Sequence, residues 1–128
     1  MRGIAKAFIA SAVVYGLLGM LLGLDMAIRH DHAELPTHAH IMVVGWLSFA
    51  VFGFFYHFFG NAVPRLVASL HFWLAQASLA VLVVGLWLFY SGRTEFEPLA
   101  AVGAIAYAAS FAVFAAGAFL ALRAPSTS

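Results

Sequence analysis

The chain has 128 residues, 65% of them hydrophobic and 9% charged, with a formal net charge of +1. A soluble domain normally carries about 25% charged residues, so a water-soluble monomer is excluded. Disorder, which needs low hydrophobicity and high charge, is excluded with it. The small net charge leaves no basic surface for nucleic acid, and the lack of cysteine excludes disulfides, zinc–thiolate centres, iron–sulfur clusters and covalently attached haem.

A membrane-spanning helix needs about 20 mainly apolar residues, and four stretches qualify. The first covers residues 4–28. Its apolar run is longer than the h-region of a cleaved signal peptide, about 7–15 residues, and three more spans follow, so it reads as a retained helix. Gly16, Gly19 and Gly23 give it a small face for close helix packing. Near its end Asp25 lies four residues before Arg29. That spacing suits an i, i+4 ion pair. A second reading stays open, in which Asp25 is the carboxylate partner of a ligating imidazole at His38 or His40.

Residues 29–36 form a polar loop ending in Pro36. It contains His30 and His32 beside Asp31 and Glu34, a donor set for copper or zinc, or else a solvated loop.

The second span, residues 38–59, opens with His38-Ala39-His40. Histidine at a bilayer edge is a functional hypothesis by default. Two residues on an α-helix subtend about 200°, so these imidazoles point to nearly opposite faces and cannot chelate one ion. They serve two separate sites. Gly45 and Gly53 follow on the His38 face, where glycines leave room for something flat and bulky. Val44, Leu47, Val51 and Phe55 or Phe58 make an apolar wall below His40. The pattern suits a porphyrin between helices better than a bare ion, and a ligand pair serving two faces implies sites shared with neighbouring copies of the chain.

Gly60-Asn61 and Pro64-Arg65 mark the next turn. The third span covers residues 66–90. His57 and His71 flank this turn at similar depth, either facing each other as a further metal-ligating pair or capping the interface. Tyr56, Trp73 and Tyr90 read as an aromatic belt on the same side. Ser91-Gly92-Arg93 leads to Pro98 and to the fourth span, residues 99–122, which is rich in alanine, has no ionisable residue in its interior and reads as scaffold.

The fold class is therefore an all-α bundle of four transmembrane helices in one domain, joined by short loops that make neighbours antiparallel. A β-barrel would need alternating strands of about 10 residues, and these runs are continuous. Arg2, Lys6, Arg65 and Arg123 fall on one side, and Arg29 and Arg93 on the other. By the positive-inside rule both termini are cytoplasmic and the histidine-rich loop faces outward, in a bacterial inner (cytoplasmic) membrane.

The segment from His38-Ala39-His40 through Gly45-Trp46 to Tyr56-His57 resembles the tenth helix of the catalytic subunit of haem–copper oxidases. In that family the first His of H-x-H ligates the high-spin haem and the second the low-spin haem. His38 and His40 match those positions, and His57 matches a distal histidine that is not a ligand. The segment also resembles the second helix of the same subunit. There too a turn like Gly60-Asn61-Ala62-Val63-Pro64 follows, and His71-Phe72-Trp73-Leu74 resembles the start of the third helix. The likeness covers residues 37–76. The family subunit has twelve helices in three arcs of four about a pseudo-threefold axis. The resemblance thus implies that a homotrimer of this chain builds a twelve-helix ring, with His38 of one copy and His40 of the next holding haem b (protohaem IX). The family's paired histidines for copper have no counterpart here, so oxygen reduction is not implied.

Three functions follow as expectations. The first is a trimeric haem b protein for electron transfer or redox or gas sensing, exchanging electrons with a quinone or cytochrome and, if enzymatic, an oxidoreductase. The second is a copper- or zinc-binding membrane protein for metal delivery or sensing, using His30, His32, His38 and His40. The third is a cofactor-free structural subunit of an oxidase complex.

Overall fold

In hydrocarbon every backbone N–H and C=O must be satisfied internally, which leaves helices as the solution for continuous apolar runs. The computed structural model describes Met1 and residues 3–125. Arg2, counted in the charge asymmetry, lies outside the described residues. The first span is α1 (Gly3–Arg29). The second span, Leu35–Ala62, changes geometry along its length. It starts as α2 (Leu35–His40), continues as a π-helix (Ile41–Leu47) and then α3 (Ser48–Phe59), and closes in a 3₁₀ turn (Gly60–Ala62). The third is α4 (Arg65–Tyr90), and a 3₁₀ turn (Thr94–Phe96) leads into α5 (Glu97–Arg123). The chain is an all-helical integral membrane protein with four helices long and apolar enough to cross a bilayer.

Two helices begin earlier than the apolar runs suggest. Pro36 and Pro98 both sit inside the first turn of their helices, after Leu35 and Glu97. A proline there gives up an N–H that has no intrahelical partner anyway. His38 and His40 consequently lie at the end of α2 rather than in its opening turn.

The π-helix is the larger departure from a regular reading. Its wider ring is capped from the side: Ser48 Oγ donates to the Val43 carbonyl at 2.8 Å, and the Tyr107 hydroxyl on α5 donates to the Val44 carbonyl at 3.5 Å. Within and after it Val44 and Phe55 turn inward, half-buried, while Val43, Leu47, Val51, Phe54 and Phe58 form the exposed ridge below His40.

Packing depends on glycines, in two ways. The three glycines of α1 are notches for side chains of the second span: Gly16 receives Trp46, Gly19 receives Met42 and Gly23 receives His38. Between α4 and α5 the helices meet backbone to backbone, where Gly85 lies on Ala100 and Gly103 on Leu82. The alanine stripe of α5 does not make this contact; Ala101, Ala104, Ala108 and Ala112 are exposed. The core sits towards the end bearing Lys6, Arg65 and Arg123, here the basic end. Phe8 is fully buried there, stacked on Tyr56 at 5.6 Å and edge-on to Phe49 at 5.2 Å and Phe72 at 5.0 Å. The opposite, histidine end carries all five acids.

A side chain at either α4–α5 crossing has nowhere to go. Gly85→Leu and Gly103→Leu are each expected to lower the unfolding free energy by about 1–3 kcal/mol. Gly60→Ala, whose added carbon would meet Tyr56 at 3.8 Å, should stay within about 0.5 kcal/mol of the parent. Denaturation midpoints in detergent decide the matter, and equal losses for all three would contradict the packing described.

Candidate functional site

The histidine end is held together by a carboxylate. Glu34, just before α2, accepts from Thr37 Oγ at 2.6 Å and from Ser91 Oγ at 2.9 Å. It thereby ties the first loop to the end of α4 and buries Thr37, which is 1% exposed. Both Glu34 oxygens are engaged, a role that the sequence reading, which placed Glu34 in a metal-donor set, missed. Thr37 three residues after Glu34 was the available signal; the distant Ser91 partner had none.

On α2 the two imidazoles have separate surroundings. His38 lies against the Gly23 notch of α1, and its Nδ1–H donates to the Gly19 carbonyl at 2.8 Å. The Nδ1–H of His40 donates to the Pro36 carbonyl, one turn back on its own helix, at 2.7 Å. A carbonyl oxygen can only accept, so each ring carries a proton on Nδ1, and in the neutral imidazole the lone pair is then on Nε2. Among the described residues the single sealed and unpartnered side-chain polar atom is Nε2 of His71. His38 and His40 are both half-buried, and neither Nε2 is sealed in this way. This is the tautomer and the outer-shell bond that a metal-ligating imidazole uses.

The remaining sequence candidates fall elsewhere. Asp25 pairs with Arg29 Nε at 2.8 Å on the exposed side of α1, so backbone carbonyls, not Asp25, hold the two imidazoles. Gly45 does face α1 like His38, but the room it leaves is taken by Tyr15, whose Cβ would lie 2.8 Å from an added carbon. Gly53 is filled likewise by Ile9. Among the described residues, the room beside both glycines on that face is thus filled by side chains of α1.

His30 and His32 are exposed, and His30 closes α1 in the left-handed region with φ 55°. Asp31 Oδ1 accepts from the Ala33 amide at 3.0 Å. Among the described residues no three His, Asp or Glu side chains gather as a metal site. Among the described residues the copper or zinc set of His30, His32, His38 and His40 is not assembled: His30 and His32 are exposed, and the loop acids bond Ala33, Thr37 and Ser91 instead.

His57 and His71 do not face each other. His57 is exposed beside Phe58, whereas His71 is 0% exposed. Adjacent helical residues point about 100° apart, and it is Tyr56 that faces inward, its hydroxyl 2.9 Å from His71 Nδ1. Phe8, Phe52 and Phe114 surround the imidazole at centroid distances of 5.0, 4.6 and 5.2 Å. Phe52 stands edge-to-face with it at 81°. The expected aromatic belt is corrected too: Tyr56 is buried, and Tyr90 ends α4 at the histidine end, far from Trp73. At that end a cavity of about 470 Å³ is lined by Asp31, Glu34, Trp87 and Tyr90 among others, with neither ligand-type imidazole in its wall.

The chain is similar to cytochrome c oxidase polypeptide 1 of Halobacterium salinarum, with 32% identity over 93 residues. The match takes in 66% of this chain and spans 16% of that relative's length. No family model matches the chain. No solved structure matches it.

Tyr56→Phe leaves His71 Nδ1 buried without a partner and is expected to cost about 1–3 kcal/mol. Removing both polar partners in Tyr56→Phe/His71→Leu should recover most of that loss in the same denaturation assay. A single variant as stable as the parent would show that the bond does not hold the core.

Proposed function

We propose that this chain is a membrane haem b protein in which Nε2 of His38 from one copy and Nε2 of His40 from the next bind the two faces of one haem iron. The reading is carried by one observation: both imidazoles give Nδ1–H to a backbone carbonyl and keep Nε2 free. Fixing the ring through its other nitrogen orients it as a ligand. Similarity to an oxidase polypeptide supports the choice of haem over another metal.

The assembly proposed is a homotrimer, a twelve-helix ring. Its support is the exposed ridge of Val43, Leu47, Val51, Phe54 and Phe58 below His40, which a neighbouring copy would cover. The haem supplies one-electron chemistry between ferric and ferrous iron. Bis-histidine ligation leaves no open coordination position, so the role is electron transfer or redox sensing, and gas sensing where one ligand is displaced. The electron partner is a quinone or a cytochrome, and the setting a bacterial cytoplasmic membrane with both termini inside and the histidine end outside. In this chain Gly23 and Gly19 position His38, Pro36 positions His40, and Glu34 holds the turn that carries both.

The purified protein is expected to show a Soret band with sharp reduced α and β bands, at one haem per protomer. His38→Ala and His40→Ala should each abolish stoichiometric haem. Gly23→Leu should lower occupancy while leaving both ligands in the sequence, because an added carbon lies 2.9 Å from His38 Cε1. A colourless protein with stoichiometric copper would refute the haem reading, and full haem retention by His40→Ala would refute the ligand pair.

A further inference from the structure

At the basic end the first turn of α1, the turn after α3 and the start of α4 enclose a cavity of about 530 Å³. Its wall is amphiphilic. Ile4, Val63 and Ala68 supply apolar surface, and Asn61, Arg65 and Ser69 supply an amide, a guanidinium and a hydroxyl. None of these three polar side chains has a hydrogen-bond or ion-pair partner among the described residues. No acid stands near enough in sequence to neutralise Arg65: all five lie at the histidine end, at positions 25, 31, 34, 95 and 97. The first turn of α4 adds backbone N–H groups with no side-chain cap and no acidic residue beside them.

We propose that this cavity binds the phosphate-bearing head of an anionic membrane lipid. A guanidinium matches two phosphate oxygens as a fork, with the Asn61 amide and Ser69 hydroxyl as further donors. The apolar wall takes the glycerol and the start of an acyl chain. A free phosphate would meet the same donors but leave the apolar wall in water, so the lipid is the better fit. A zwitterionic lipid brings its own cation to a site that already holds one, so an anionic head is preferred. Basic pockets between membrane helices recognise lipid heads on this principle. The proposal does not depend on haem.

The delipidated full chain, held in a neutral detergent, is titrated with phosphatidylglycerol, phosphatidylcholine and inorganic phosphate, and bound molecules are counted by native mass spectrometry. Phosphatidylglycerol is expected to bind roughly fivefold or more tightly than phosphatidylcholine. Arg65→Gln should remove that preference, Asn61→Ala should reduce it should the arginine variant not fold, and Arg123→Gln, also at the basic end but outside the cavity, should keep it. Equal loss with Arg123→Gln would mean a diffuse surface charge and overturn the site. Inorganic phosphate binding as tightly as phosphatidylglycerol would make it a simple anion site and overturn the lipid.

Discussion

Within a bilayer a polar side chain has no water to turn to, so each one must find its partner in the protein. That constraint organises this bundle. Tyr15 donates to Gln76 Oε1 at 3.3 Å and Gln76 Nε2 donates to Ser11 Oγ at 2.9 Å, which pins α1 to α4. Tyr56 and His71 pin α3 to α4, and Tyr107 pins α5 to the π-helix. These bonds are few and each joins two spans, so together they set the rotation of every helix. The bond from His38 to Gly19 is one of this set. The tautomer of His38 is thus a consequence of how the bundle holds together, and the lone pair left on Nε2 is the remainder of that accounting.

Steric fit enforces the same rotation. A glycine every third or fourth residue gives α1 three notches, and Trp46, Met42 and His38 fill them in reverse order as the second span runs antiparallel. Turning that span to bring His40 inward would drive Trp46 and Met42 out of their seats. The notches therefore decide which histidine of the pair meets α1 and which meets the surroundings. The π-helix lies between the histidines and the aromatic core, and its buried Ile41 and Gly45 continue the face that Phe49, Phe52 and Tyr56 bury further on. Segments of this kind are frequent at functional sites.

Much of this was legible in the chain. Four apolar runs show four helices because lipid allows little else. The opposed directions of His38 and His40 follow from the 100° step of an α-helix. The i, i+4 spacing of Asp25 and Arg29 shows their ion pair. What was not legible depends on partners far away in sequence. Gly85 is one glycine in an apolar run until Ala100 arrives against it. Glu34 looks like a metal ligand until Ser91 meets it. Tyr56 and His57 are neighbours with equal claim to an inward position, and only the packing of Phe8 and Phe114 decides for Tyr56. Gly45 suggests room for a flat ligand until α1 brings Tyr15 against it. The π-helix has no composition of its own, since Ile41–Leu47 contains no residue that an α-helix would refuse.

The two imidazoles differ in a way that bears on the proposed centre. His40 takes its Nδ1 bond from its own helix and would keep it in almost any assembly. His38 takes its bond from α1, so its orientation lasts only as long as α1 and the second span stay docked. A ligand pair built from one of each would join the internal packing of one copy to the local helix geometry of the next. Loosening α1 in one copy would release a ligand without disturbing its counterpart across the interface. In that arrangement the Gly19 carbonyl would fix the direction of the His38 ring and the Pro36 carbonyl that of the His40 ring, so one ligand would rest on the docking of α1 and the other on its own helix alone.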